Sequence, residues 1–210
     1  MSIDAVGSFK AAMPTLQRNP AALIGGFVII AILNVVVQGI HIPVVSPIIS
    51  FVASAFLMAG YMSMALAVHD GRPAAIGDLF KPQPTLGNML AVQFITSVAI
   101  IIGFIFLIIP GLIAAVLLGF APLLVLEQNM APMDALKRSV DISKPLLGTL
   151  IVFAIVASIV NFIGALLLGF GLLVTVPLTM LAWVAIYRQV ASPARRHGTG
   201  PVGAGEYAEN

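Results

Sequence analysis

The sequence predicts an all-α fold, a polytopic bundle of six transmembrane helices, and three observations lead there. Of its 210 residues 60% are hydrophobic and only 9% charged, with a mean hydropathy of +1.10. A soluble domain of this size could not hide so much apolar surface, so lipid is the solvent. The apolar residues gather into six runs at about 21–40, 47–68, 88–109, 112–126, 146–168 and 172–187. Finally, the segments outside these runs carry, in order, 2, 0, 2, 0, 3, 0 and 3 lysines and arginines. Short basic loops stay on the cytoplasmic side, so this alternation predicts an inner-membrane, multi-pass protein with both termini in the cytoplasm.

Taken in order, Met1 to Asn19 carries Asp4, Lys10 and Arg18 and has no continuous apolar stretch before a small-residue cleavage site. It is read as part of the protein and not as a removable signal peptide. Within it Val6, Phe9, Met13 and Leu16 recur at helical spacing, as do Ile76, Leu79 and Phe80 before the third run and Met133, Leu136 and Val140 before the fifth. These predict interfacial helices along the inner leaflet, with capping of the bundle from below as the alternative. A crossing needs about 20 apolar residues. Four runs meet that length, whereas 112–126 and 172–187 must borrow flanking residues such as Glu127 to Asn129 and Gln189 to Ala191.

The runs pair into three antiparallel hairpins, turned on the far side by His41–Ser46, Pro110–Gly111 and Gly169–Gly171, none of which is charged at neutral pH. Each hairpin is entered through a proline, Pro20, Pro84 or Pro145, a residue suited to a first helical turn where its missing N–H has no intrahelical partner. Spacings of 64 and 61 residues make a degenerate threefold repeat plausible. Residues 1–191 then form one domain. Residues 192–210 hold Pro, Gly, Ala, Arg and Glu with little that is large and apolar, and are expected to be a disordered cytoplasmic tail.

Small residues recur every four positions at Ala55, Ala59, Ser63 and Ala67, at Gly111, Ala115 and Gly119, and at Ala157, Asn161, Ala165 and Gly169. Such rows let membrane helices approach closely. Pro122 and Pro177 are expected to kink the fourth and sixth helices. No ionisable residue lies deep in a run, although pumps and transporters ordinarily need one there. The deep polar residues are uncharged, and Asn34, Gln93 and Asn161, one in the first helix of each hairpin, are the candidates for an internal polar site.

Chemistry is sparse elsewhere. With no cysteine there is no thiolate nucleophile or zinc-thiolate site. The three histidines fall at 41, 69 and 197 without the spacing of a helical zinc motif, so no metal, no cofactor and no catalytic residue is predicted. Basic residues are spread among four segments without stacking aromatics, which argues against nucleic acid and for membrane lipids as partners. His69-Asp70-Gly71-Arg72 resembles the opening of the CDP-alcohol phosphotransferase signature. Ala75 stands where that signature has arginine and the later spaced aspartates are missing, so Asp70-Gly71 is read as a turn.

The most distinctive stretch joins Ile108-Ile109-Pro110-Gly111-Leu112 and Phe120-Ala121-Pro122-Leu123 to Leu126-Glu127-Gln128-Asn129 and Ala135-Leu136-Lys137-Arg138-Ser139. It resembles a family of bacterial six-span proteins that includes the membrane domain attached to some glycerophosphoryl diester phosphodiesterases. The catalytic domain of those enzymes has no counterpart here, so the resemblance implies membrane location and topology without hydrolysis. In that pattern Pro110 and Gly111 make the outer turn, Glu127 marks the return to the cytoplasm and is able to pair with Lys137 or Arg138, and Arg138 and Ser139 lie in an interfacial helix. Lys137, Arg138 and Lys144 are the candidate contacts for lipid heads or a partner protein.

The function expected is that of a non-enzymatic scaffold, regulator or lipid-interacting protein, with a membrane-protein partner or homo-oligomer possible. The alternatives are a small transporter or channel lined by Asn and Gln, and a lipid-modifying enzyme. For the enzyme, at least two of Asp70, Asp78, Glu127 and Asp134 would have to converge at the inner interface.

Overall fold

The computed structural model describes residues 5–39, 45–81, 84–167 and 169–198, and among them every regular element is a helix. The α-helices are α1 (Ala5–Arg18), α2 (Pro20–Gln38), α3 (Val45–His69), α4 (Leu86–Phe106), α5 (Ile108–Leu118), α6 (Ala121–Gln128), α7 (Pro132–Ser143), α8 (Leu147–Leu166) and α9 (Leu172–Gly198). Short 3-10 turns at Ile76–Phe80 and Lys144–Leu146 precede α4 and α8. Five stretches are long and apolar enough to cross a membrane, and α2 makes a sixth when counted with α1, from which it is bent by 96°. The class predicted from composition is therefore the class observed.

A short helical piece, then two long apolar stretches, occurs three times: α1 before α2 and α3, the Ile76–Phe80 turn before α4 and the α5–α6 pair, and α7 before α8 and α9. Pro20 opens α2, Pro84 stands just ahead of α4, and Pro145 lies in the turn that leads into α8. Within each repeat the paired stretches touch. Their contacts climb one helix as they descend the other: Phe27 meets Tyr61 and Asn34 meets Ser54, while Gly164 meets Thr175 and Asn161 meets Thr179.

The short fourth run is completed across a break. α5 and α6 together extend over Ile108–Gln128, 21 residues, interrupted only at Gly119 and Phe120, with Pro122 in the first turn of α6 where its lack of an N–H costs nothing. The kink expected at Pro122 is thus a break placed just before it. α9 continues through Pro177 and beyond Tyr187 to Gly198, because Ala and Arg in 191–198 favour helix; 199–210, and the turn at 40–44 with His41, lie outside the described residues.

Pro110 and Gly111 do not form the outer turn. The chain reverses at Leu107, in extended conformation (φ −170°, ψ 156°), and both residues sit inside the first turn of α5. Proline is tolerated there, and Gly111 is needed for packing: a Cβ on Gly103 would come 2.7 Å from the Gly111 Cα. The fifth-helix row also differs, since Gly164, not Ala165, is the buried close-contact position; its Cβ would fall 2.5 Å from Thr175 Oγ1.

The three linking pieces dock on the bundle through one leucine of each expected face, Leu16, Leu79 and Leu136, with small residues beside it in α1 and α7. α1 buries Ser8, Ala12 and Leu16 and leaves Val6 and Met13 exposed, packing chiefly on α9. α7 buries Ala135, Leu136, Ser139 and Ser143 while Met133 is exposed. At the Ile76–Phe80 turn only Leu79 is buried, and its carbonyl lies where a side chain on Gly60 would be, 2.3 Å from an ideal Cβ. The small residues beside Leu16 and Leu136 let backbones approach, which adds dispersion along a tight seam. The core sits toward this end of the molecule, where Ala121 to Val125 are all buried, whereas α4 and α8 present most of their length outward.

Candidate functional site

Two groups of polar side chains are brought together where α6 meets α9, the first with α7 and the second with the end of α3. The first heals the break in the fourth stretch. Where α5 stops, Leu117 O and Phe120 N lack their helical partners, and a lipid environment would leave them unpaired. Ser139 of α7, fully buried, answers both: its hydroxyl donates to Leu117 O (2.7 Å) and accepts from Phe120 N (3.2 Å). Trp183 of α9 donates Nε1–H to Gly119 O at 3.3 Å, and its ring fills the space a side chain on Gly119 would need. Trp183 also stacks on Phe120 (4.3 Å between ring centres) and packs against Phe153 (5.5 Å), which stacks in turn on Phe9 of α1 (5.1 Å). An aromatic chain thereby connects α1, α8, α9 and α6.

The second group is ionic. α3 ends at Gly71 in the left-handed region (φ +74°), with Arg72 N donating back to Ala67 O at 2.8 Å, so Asp70-Gly71 is a helix-terminating turn as expected. That turn presents Asp70 to Arg188 of α9, whose Nη2 lies 2.6 Å from Asp70 Oδ2. The Nη1 of the same guanidinium bonds Glu127 Oε1 near the end of α6. Glu127 Oε2 accepts the Tyr187 hydroxyl at 2.8 Å, and Gln128 reaches that hydroxyl at 3.5 Å. α6 closes on Asn129, left-handed at φ 49°, a conformation asparagine tolerates. With Arg188 and Glu127 side chains only 16% and 13% exposed, this tie is partly desolvated and stronger than a surface pair.

Glu127 therefore pairs with Arg188 and not with Lys137 or Arg138 as the motif suggested. The reason is reach along the fold: α7 turns its small face inward and points its cations away. Lys137 and Lys144 are exposed and Arg138 is half-buried. Lys137, Asp141 and Lys144 rim a groove of about 430 Å³ floored by Leu118, Leu136 and Val140. Asp78 is occupied locally; it accepts Ala75 N–H at 2.9 Å and pairs with Lys81 at 2.6 Å, which hold its carboxyl below the usual carboxylate range.

The internal polar candidates are used separately. Asn34 donates to Ile30 O and accepts from Ser54 at 3.1 Å, joining α2 to α3. Asn161 donates to Thr179 at 3.2 Å, joining α8 to α9. Gln93 is half-buried on α4, and no hydrogen bond joins one of the three to another. Of the four carboxylates considered for chemistry, Asp70 and Glu127 do converge, with a guanidinium between them. Sequence reasoning missed Arg188, Trp183 and Tyr187. The available signal was a lone arginine directly after the last apolar run, following two of the few polar aromatics in the chain.

Comparison with known proteins agrees with this architecture at the level of class. The chain is 26% identical over 136 residues to an uncharacterised protein of Mycobacterium tuberculosis, an alignment covering 65% of this chain and 42% of the relative. It is 26% identical over 105 residues to a protein of Yersinia pestis described as a UPF0259 membrane protein, covering 50% of this chain and 41% of that one. The matched part thus spans about two fifths of the length of these relatives. No family model and no solved structure matches. With its apolar helices, this distant similarity to bacterial membrane proteins makes the chain a multi-pass membrane protein.

Proposed function

We propose that this protein is a non-enzymatic scaffold or regulator of the bacterial cytoplasmic membrane, inserted with both termini in the cytoplasm and engaging lipid heads or a partner protein through α7. The relation to the membrane domain of glycerophosphoryl diester phosphodiesterases belongs to the same reading, as a relation of architecture. The observation that carries it is the division of labour among the charges. Arg188, Asp70, Glu127 and Tyr187 tie the ends of α3 and α6 to α9, while Lys137 and Lys144 stand exposed around an apolar-floored groove. Cations above an apolar floor suit an acidic phospholipid head or an acidic partner segment.

A lipid-modifying enzyme draws support from the meeting of Asp70 and Glu127, but the guanidinium engages an oxygen of each and Tyr187 takes the second oxygen of Glu127. A general base needs that lone pair for its substrate. A transporter path would need Asn34, Gln93 and Asn161 on one cavity, against which stand the separate bonds to Ser54 and Thr179.

Two measurements test the proposal. Reporter fusions at Arg72, Lys144 and Arg195 are expected to report the cytoplasm; any one on the opposite side overturns the orientation. Affinity purification should recover acidic lipid or a defined partner with the native chain, and lose it in a K137Q/R138Q/K144Q variant of unchanged thermal stability. Equal recovery from both would refute the role of α7.

A further inference from the structure

The far turns of two repeats are built for hydrocarbon. From Val98 to Leu126, and again from Phe162 to Val174, every residue is apolar, glycine or proline, so the α4–α5 and α8–α9 reversals carry no polar side chain at all. Turns that face water ordinarily draw on Asn, Asp and Ser. By contrast, the connection between α2 and α3 contains His41. The reversals are also strongly exposed: Ile105 is 76% exposed, Phe106 75% and Phe170 74%.

Backbone geometry points the same way. At the α4–α5 reversal Leu107 N–H donates to Gly103 O at 3.0 Å and Gly111 N–H to Leu107 O at 3.3 Å, Pro110 has no N–H to satisfy, and the N–H groups of Ile108 and Ile109 are the two open donors at the start of α5. At the other reversal the N–H groups of Leu167, Gly169, Phe170, Leu172, Leu173, Val174 and Thr175 all donate to carbonyls of the turn or the adjoining helix. Hydrocarbon favours such closure, which is fuller at the α8–α9 reversal. Glycine pairs make it possible, since Gly103 against Gly111 and Gly164 against Gly171 bring the backbones close enough for the shortest reversal.

We propose that the α4–α5 and α8–α9 turns end among the acyl chains of the leaflet opposite the charged end and do not emerge into water. Lipid, not a second copy of the chain, is the occupant of this surface. The exposed apolar face runs without a seam from Phe94, Val98 and Ile101 on α4 to the tip, and from Val152, Ile155 and Ile159 on α8 to its tip. A protein interface would carry a polar rim; the exposed Ser158 on the α8 face is instead turned back on its own helix, donating to Ala154 O at 2.7 Å. The inference requires only that the chain enters a bilayer, and it stands whichever way the termini face.

The chain has no cysteine, so single spin labels are straightforward. Full-length L107C, L167C and F170C variants, with R72C as the water-exposed reference, are labelled in phosphatidylethanolamine–phosphatidylglycerol vesicles. Collision with oxygen and with a water-soluble nickel chelate is then measured. Labels at 107, 167 and 170 should meet oxygen freely and the chelate at about one tenth of the Arg72 frequency, as expected for positions inside the hydrocarbon. Chelate collisions comparable to the reference would place the turns in water. Low collision with both reagents would mean that protein covers them. Either result overturns the proposal, and three positions guard against one label disturbing its own turn.

Discussion

Ser139 shows how one hydroxyl decides whether a broken helix survives in lipid. It supplies an acceptor to Phe120 N–H and a donor to Leu117 O at a site that water does not reach. S139A should leave both backbone groups unpaired and lower stability in detergent by about 1–3 kcal/mol, read as a fall in thermal midpoint. A negligible change would mean that the break is satisfied by another route. From sequence alone Ser139 was visible as a member of a motif, and its role was not. The partner groups belong to Leu117 and Phe120, which no side-chain pattern marks as lacking helical bonds.

Among the elements, the tightest seam is the reversal between α4 and α5. An added side chain on Gly103 would meet the backbone of α5, which cannot rotate away as a flexible side chain would. G103V is expected to splay the two helices at a cost of about 1–3 kcal/mol, detected by thermal unfolding, whereas G87A, with open space around its Cβ, should be silent. The existence of the long helices was legible in the apolar runs, because hydrophobic length is a local property. Their ends were less so. Pro110-Gly111 reads as a turn by composition, yet the reversal falls at Leu107, since proline is equally at home one turn inside a helix. The faces of α1 and α7 were legible in part: Leu16 and Leu136 are buried, whereas Val6, Met13 and Met133 are exposed. A pattern of Val6, Phe9, Met13 and Leu16, or of Met133, Leu136 and Val140, counts large side chains and misses the small ones beside them, Ser8 and Ala12 or Ala135 and Ser139, that permit close packing.

For the molecule as a whole, the charges that orient it also fasten it. Arg188 holds Asp70 and Glu127 together, and without it two carboxylates face one another at a partly desolvated site. R188A should cost about 1–3 kcal/mol, between the exposed and buried limits for ion pairs. Restoring neutrality with D70N and E127Q in the same chain should recover part of it; a double-mutant cycle in thermal stability measures that coupling. Nothing in the sequence announced this pairing, because its members lie 118 and 61 residues apart and contact is a product of the finished fold. The same separation has a bearing on how the chain is made. α1 is synthesised before the other described helices, yet its main seat is on α9, the last of them. Until α9 is in place, the earliest described helix lacks its main seat and Glu127 waits for Arg188, so assembly of these helices in the membrane must close late and from the α9 side.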